Sequence, residues 1–295
     1  MQVRKPDEVI IVINPPDDPT RGCVEELLPE LSFNVKILTG PGGVGSARSI
    51  GVASASGEIV AFIDSDEVAH PYWLYYIEKA LAEHPDVMVI GGPIVYVEDL
   101  HQMLFNPSQI SEPLLMVPGD INNVRMGNMA FRKTIISTVG NFDHNFKVCH
   151  EDTDFIFRLI DNKIKILYCR NIIVYHIRKK IPILKGIYKS FYIGAHNARL
   201  FVKHPKNSTL KIFYMDLSHA FLIALGIITA IITKNATTFV LIFAPSIFYK
   251  VIKVLIRRDL KLMIKRLTLE YISQLLFTLG FFIETIKIAL RRLYA

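Results

Sequence analysis

Cysteine is scarce in this chain. Its 295 residues hold three, Cys23, Cys149 and Cys169, an odd number without close metal-ligand spacing, which argues against a disulfide framework and against a thiolate zinc site. A reducing compartment fits. A cleavable leader is also not expected, because Met1 to Asp7 is charged and the apolar run behind it, Val9–Ile13, has only the length of a strand. The N-terminal domain is therefore expected in the cytosol. Acidic residues are rare in one half only: residues 178–295 carry 4 Asp/Glu against 20 Lys/Arg, whereas residues 1–177 carry 23 against 14. With 51% hydrophobic residues overall, this asymmetry predicts an acidic catalytic head on a basic, apolar tail whose cations meet lipid headgroups. Nucleic acid is not expected as a partner despite a pI near 9.2, since the basic residues alternate with long apolar runs and not with exposed aromatics.

What is present in the first part is an alternation of short β-branched runs with helical stretches. Glu8–Ile13, Asn34–Leu38, Glu58–Ile63 and Val87–Ile90 read as strands, and Val44–Ala55 and Pro71–Glu83 as helices. Such alternation predicts an α/β domain with a mixed, mostly parallel sheet flanked by helices. Ligands of such sheets gather at the carboxyl ends of strands, where Asn14–Asp18 and Asp64–Asp66 fall. Residues 1–180 are thus read as a catalytic domain and 181–212 as a basic amphipathic juxtamembrane segment. Residues 213–295 are read as a membrane region. Leu217–Thr233 and Ala236–Ile256 count 17 and 21 residues, near the roughly 20 that cross a bilayer core, and form an expected helical hairpin. The basic loop Arg257–Arg266 then lies on the cytosolic side with the head. A third apolar segment, about Leu267–Ile288, is interrupted by Glu270 and Glu284 and reads as interfacial or re-entrant.

Two acidic clusters can carry chemistry. Asp64 and Asp66, two apart in an extended chain, point the same way and can share one hard cation with a diphosphate. Glu151-Asp152-Thr153-Asp154 precedes the helical run Phe155–Ile160; carboxylates there cap a helix and suit its dipole, and a carboxylate held so can also act as a general base. His176 closes the strand-like stretch Asn171–Tyr175 and is structural unless the fold brings it to Asp64 and Asp66. The stretch Gly40–Arg48 is glycine-rich but lacks the Lys-Ser/Thr of a P-loop. It is either a nucleotide contact through Arg48 and nearby backbone or a simple turn.

Taken in order, these segments resemble family 2 glycosyltransferases of the GT-A (Rossmann-like) fold. The likeness rests on Asp7–Val12 leading to Asn14 and Asp18, Gly43–Arg48, Gly57-Glu58 running into Asp64-Ser65-Asp66, Gly127–Arg132, Val139–Asp143, Glu151–Asp154 and His176. It covers about residues 7–180. The resemblance implies that Asn14, Asp18, Arg48, Asp64, Gly127, Asn128 and Glu151 bind the nucleotide-sugar. It further implies that Asp64, Asp66 and His176 hold a divalent cation, Mn²⁺ or Mg²⁺, and that Asp152 is the catalytic base. Position 49 departs from the family in being Ser49, the loop after the first strand is Pro15-Pro16-Asp17-Asp18, and the strand and helix that usually precede the Asp7–Val12 segment are missing.

The activity implied is a membrane-anchored, metal-dependent, inverting transfer of a sugar from a nucleotide-sugar to an acceptor hydroxyl on a glycan or a lipid-linked saccharide. Two alternatives stay open. One is a polyprenyl-phosphate sugar synthase, whose acceptor oxygen is already ionised and needs no base. The other is a degenerate, non-catalytic membrane-bound homologue.

Overall fold

The computed structural model describes residues 2–98, 114–115, 124–177, 182–205 and 263–293, with 225–226, 229, 231–235 and 237 between them. The expected hairpin spans, 217–233 and 236–256, fall mostly outside the described residues. The chain forms two compact units, Met1–Lys180 and Ile181–Ala295.

The N-terminal unit opens with β1 (Glu8–Ile13), α1 (Thr20–Leu27), β2 (Asn34–Thr39) and α2 (Val44–Ser54). Next come β3 (Ile59–Phe62), β4 (Glu67–Ala69), α3 (Trp73–Glu83), β5 (Val89–Gly91), β6 (Ile94–Val97), β7 (Leu114–Leu115) and β8 (Met129–Arg132). The short α4 (Ile136–Val139), α5 (Glu151–Asp161), β9 (Ile166–Tyr168) and β10 (Val174–Ile177) complete it. The α/β class expected from the alternation is the one observed.

Three sheets share these strands: β1-β2, β4-β10-β6 and β3-β8-β5-β9-β7. The pairs β1–β2, β10–β6 and β5–β9 are parallel, whereas β10–β4, β3–β8, β5–β8 and β7–β9 are antiparallel. The mixed sheet expected from the sequence is the one observed, with three of these seven pairs parallel. Its physical cause is β8, which returns between β3 and β5 and pairs antiparallel with both.

Among the described residues β1 pairs only with β2 and β3 only with β8. The two strands nevertheless start side by side, because the Glu8 carboxylate accepts hydrogen bonds from the backbone N–H groups of Ser56 and Gly57, just ahead of β3. Ile59–Phe62 and most of β1 are only half-buried, which is unusual for apolar strands and follows from the interruption of the sheet between them. The core lies on the other side, around β8 and β5. Phe131, Phe142, Phe155, Leu159 and Met129 fill one face; Trp73, Ile77, Leu81, Ile90 and Val174 fill the other. Phe142 and Phe155 stack with ring centroids 4.6 Å apart, and this packing fixes α5, the helix that bears the second acidic cluster.

The C-terminal unit is described chiefly by α6 (Ile183–Lys203) and α7 (Met263–Leu293). They pack closely. A Cβ on Gly194 would lie 1.8 Å from the Phe277 carbonyl oxygen and one on Gly280 2.0 Å from that of Phe191, so glycine is required where the backbones touch. Within α7, Ile272–Leu293 is long and apolar enough to cross a membrane.

Candidate active site

β3 delivers Asp64 to the edge of its sheet, and the chain then turns at once into β4. The turn is closed twice: the N–H of Glu67 donates to the Asp64 carbonyl at 3.0 Å, and the N–H of Asp64 donates to Glu67 Oε2 at 3.1 Å. In β4, Glu67 stands opposite His176 of β10, which in turn stands opposite Tyr96 of β6. A carboxylate, an imidazole and a phenol thus form one row across the small sheet. The Tyr96 and His176 rings are 5.1 Å apart, and His176 Nε2 is 3.7 Å from Asp66 Oδ2. The structure therefore brings His176 to Asp66, and does so from within a strand. Burial, with the nearby carboxylates of Asp64 and Asp66 adding to it, holds the Glu67 carboxyl above the usual range.

Arg48, on α2, links the two acidic clusters. Its guanidinium donates to Asp64 Oδ1 at 2.9 Å and, through its other terminal nitrogen, to Glu151 Oε1. The Glu151 side chain is only 5% exposed. Burial pushes its carboxyl up to about 7 in spite of the attraction of Arg48, since desolvation of the charged form outweighs one partly buried cation.

The three carboxylates at the start of α5 have different surroundings. Asp154 is fully buried and receives Nε and Nη2 of Arg158 at 3.1 and 2.9 Å, while Arg158 Nη1 donates to the carbonyls of Val139 and Gly140. That pair fastens the 139–143 loop to α5. Glu151 is spent on Arg48. Asp152 is half-buried, and its Oδ1 accepts from the N–H of its neighbour Thr153 at 2.7 Å. No salt bridge is formed by Asp152 among the described residues.

Residues 2–140 match the model of Glycosyl transferase family 2. The match lies wholly within the N-terminal unit. Curated relatives are distant: "Glucosyl-dolichyl phosphate glucuronosyltransferase" of Haloferax volcanii is 24% identical over 114 residues, 35% of this chain and 35% of that protein. "Pre-mycofactocin glycosyltransferase" of Mycobacterium tuberculosis is 28% identical over 172 residues, 55% of this chain and 36% of that one. The chain thus spans about a third of the length of the curated relatives it matches. Among solved structures, S. aureus TarS 1–349 in complex with UDP gives a TM-score of 0.49 at 16% identity, covering 95% of this chain and 83% of that one. Its complex with UDP-GlcNAc gives 0.48 at 18%, covering 67% and 63%.

Other residues of the N-terminal unit have local duties that the sequence does not reveal. Asn128 is fully buried; its oxygen accepts from Trp73 Nε1 at 2.8 Å and its nitrogen donates to the carbonyls of Pro93 and Ile172. It ties α3, β8 and the β9–β10 connection together. Gly127 lies against Glu67, whose Oε2 a Cβ would approach to 2.3 Å. Asn14 donates to the Gly43 carbonyl at 3.0 Å, and Asp18 Oδ1 accepts from the N–H of Thr20 at 2.9 Å, in the turn just ahead of α1. The glycine-rich stretch is a packing device. The first N–H groups of α2, at Val44 and Gly45, donate to the carbonyls of Lys147 and Phe146 at 3.0 Å each, and a Cβ at Gly45 would lie 2.3 Å from the Asp143 carbonyl oxygen. Those amides are already satisfied by protein, so Arg48 is what this region offers a ligand.

Among the described residues no group of three His, Cys, Asp or Glu converges as a ready metal site. Asp66 and His176 still fit a divalent cation, since a carboxylate oxygen and the imidazole Nε2 lie 3.7 Å apart, close enough to share one ion. Two protein donors suffice where diphosphate oxygens supply the remainder. Glu67 and Tyr96 are the site residues that sequence reading missed. Glu67 follows Asp66 directly, but its place opposite His176 depends on the β4–β10 register, which no local pattern shows.

Proposed function

We propose that this chain is a membrane-anchored, inverting glycosyltransferase that moves a sugar from a nucleotide-sugar to an acceptor hydroxyl. The observation that carries this reading is the Asp64–Arg48–Glu151 chain of ion pairs, which ties the β3 strand end to the N-terminus of α5, the helix that bears Asp152. Asp64, Asp66 and His176 would hold the divalent cation, which when bound supplies positive charge to the departing diphosphate. Arg48 and Glu151 keep the two carboxylate clusters at a fixed separation. Asp152 takes the proton of the acceptor hydroxyl as its oxygen bonds to the anomeric carbon and the bond to the diphosphate breaks.

Asp152 suits that role because it is the carboxylate of its cluster that forms no salt bridge and keeps one oxygen, Oδ2, outside its local hydrogen bonds. A hydroxyl acceptor is favoured over an ionised polyprenyl phosphate on the same ground, since a phosphate oxygen has no proton to give. A lipid-linked saccharide is the acceptor class we infer, supported by the apolar C-terminal helix and by the dolichyl-phosphate name of the Haloferax volcanii relative. The basic loop at 257–266 supports a multi-pass tail with the catalytic domain in the cytosol. Turnover of Asp152→Asn tests the reading: transfer to a hydroxyl acceptor should fall by about 10²–10⁴-fold with donor affinity nearly unchanged. Wild-type turnover would remove Asp152 from the mechanism and leave it a helix cap.

A further inference from the structure

The C-terminal helix pair is built inside out. On α7, Ile272, Leu275, Leu279, Phe282, Ile286 and Leu290 are 40–57% exposed, although they recur every three or four residues and fall within about 80° of helical arc. The opposite face of the same helix buries Gly280 and Glu284. Glu284 is 5% exposed and pairs with Arg199 of α6 at 2.7 Å. A helix in water does the reverse, hiding its apolar stripe and solvating its charge. α6 is the inner helix, with Ala195, His196, Asn197, Ala198 and Leu200 all buried.

We propose that the α7 stripe lies in the acyl region of a lipid bilayer, with the α6–α7 pair in the plane of the interface. This rests on the membrane-associated reading given above and names the face and the partner. Lipid is the occupant because the buried side already holds the ion pair and the glycine contact, the two kinds of interaction that hold helices together where apolar burial gives no drive. Cations also recur along both helices, as an anionic surface requires. Lys185, Lys189 and Lys203 of α6 and Lys287, Arg291 and Arg292 of α7 are all exposed. The three on α7 are turned roughly 100–140° from the centre of the stripe, so the stripe passes them unbroken to Leu293.

The in-plane orientation follows from α6. The helices run in the same direction, Ala195 beside Gly280 and, one turn on, Arg199 beside Glu284. If α7 crossed the bilayer, α6 would have to enter with it, yet α6 has only the stretch between Lys189 and Arg199 free of charge, about half of the roughly 20 residues a crossing needs. Lying flat, the pair buries only the stripe, about 5–10 Å below the headgroups.

Single tryptophans in the full-length chain test this. Ile272→Trp, Phe282→Trp, Leu293→Trp and, as the control, Lys287→Trp are reconstituted in vesicles of phosphatidylcholine and phosphatidylglycerol carrying bromines at different acyl depths. Emission added over that of the native Trp73 is then read. The expected result is quenching at 272, 282 and 293 from the same shallow bromine position, and little at 287. Deep quenching at 282 with shallow quenching at 272 and 293 would overturn the in-plane orientation. Absence of quenching at all three, with cross-linking of Leu279→Cys between chains, would overturn lipid contact in favour of a second copy. Transfer activity of the same variants in detergent micelles reports the catalytic reading separately.

Discussion

The two acidic clusters of the N-terminal unit solve the problem of crowded carboxylates in opposite ways. At the start of α5, protein arginines neutralise two of three acids: Arg48 meets Glu151 and Arg158 meets Asp154. At the β3–β4 turn, Asp64, Asp66 and Glu67 face one another, and the cation within reach, Arg48, is shared with the other cluster. Charge is balanced internally in the first and left in excess in the second. The difference teaches where an external cation belongs, and why the α5 cluster has only Asp152 to spare for proton transfer.

The largest effect expected from disturbing this contrast is on stability. Arg158→Met takes from the buried Asp154 the guanidinium that neutralises it and frees the 139–143 loop, which should cost about 3–5 kcal/mol; denaturant unfolding of the full chain, followed through Trp73, measures it. A loss of only a few tenths would show that the α5 cluster is not neutralised from within.

A smaller effect is confined to pH. The Glu151 carboxyl is raised from 4.5 to about 7 in the fold, so the folded chain binds more protons there than the unfolded one between those values. Stability must then fall as pH rises from 4.5 to 7 and level off above. Glu151→Gln keeps an oxygen for Arg48 but cannot ionise. The stability of the variant relative to wild type should therefore increase over that window, in paired melts at pH 5 and pH 7.5. A constant difference would contradict the burial account of Glu151.

Smallest in stability is Gly127→Ala. The new methyl meets the far end of Glu67, a flexible side chain that can swing aside, so a cost of about 1 kcal/mol is expected, at the low end for overpacking. Displacing Glu67 releases the N–H of Asp64, and affinity for a nucleoside diphosphate with Mn²⁺ should fall more clearly than the melting temperature does. Unchanged affinity would remove Glu67 from the turn's construction.

Local pattern made much of this legible. The strand Glu8–Ile13, the helix Val44–Ser54 to within a residue, and Asp64 at a strand end all follow from short apolar runs and their polar ends. The i, i+4 spacing of Asp154 and Arg158 was also visible, but not that the pair is buried. Long-range pairing was hidden. Asn128 is held between Trp73, Pro93 and Ile172, and Glu67 faces His176 through an antiparallel pairing of strands more than 100 residues apart. Neither partner set leaves a trace in nearby sequence. The place of β8 was hidden for the same reason, since nothing local marks it as a strand that returns between two others.

The contrast between the clusters is tested most directly by calorimetry of nucleoside diphosphate binding, with and without Mn²⁺, on the wild-type chain, Asp66→Ala and Asp152→Asn. Binding should need Mn²⁺, be lost or sharply weakened in Asp66→Ala, and stay close to wild type in Asp152→Asn. Equal affinity with and without the metal, or weakening by Asp152→Asn as large as by Asp66→Ala, would contradict the division of labour.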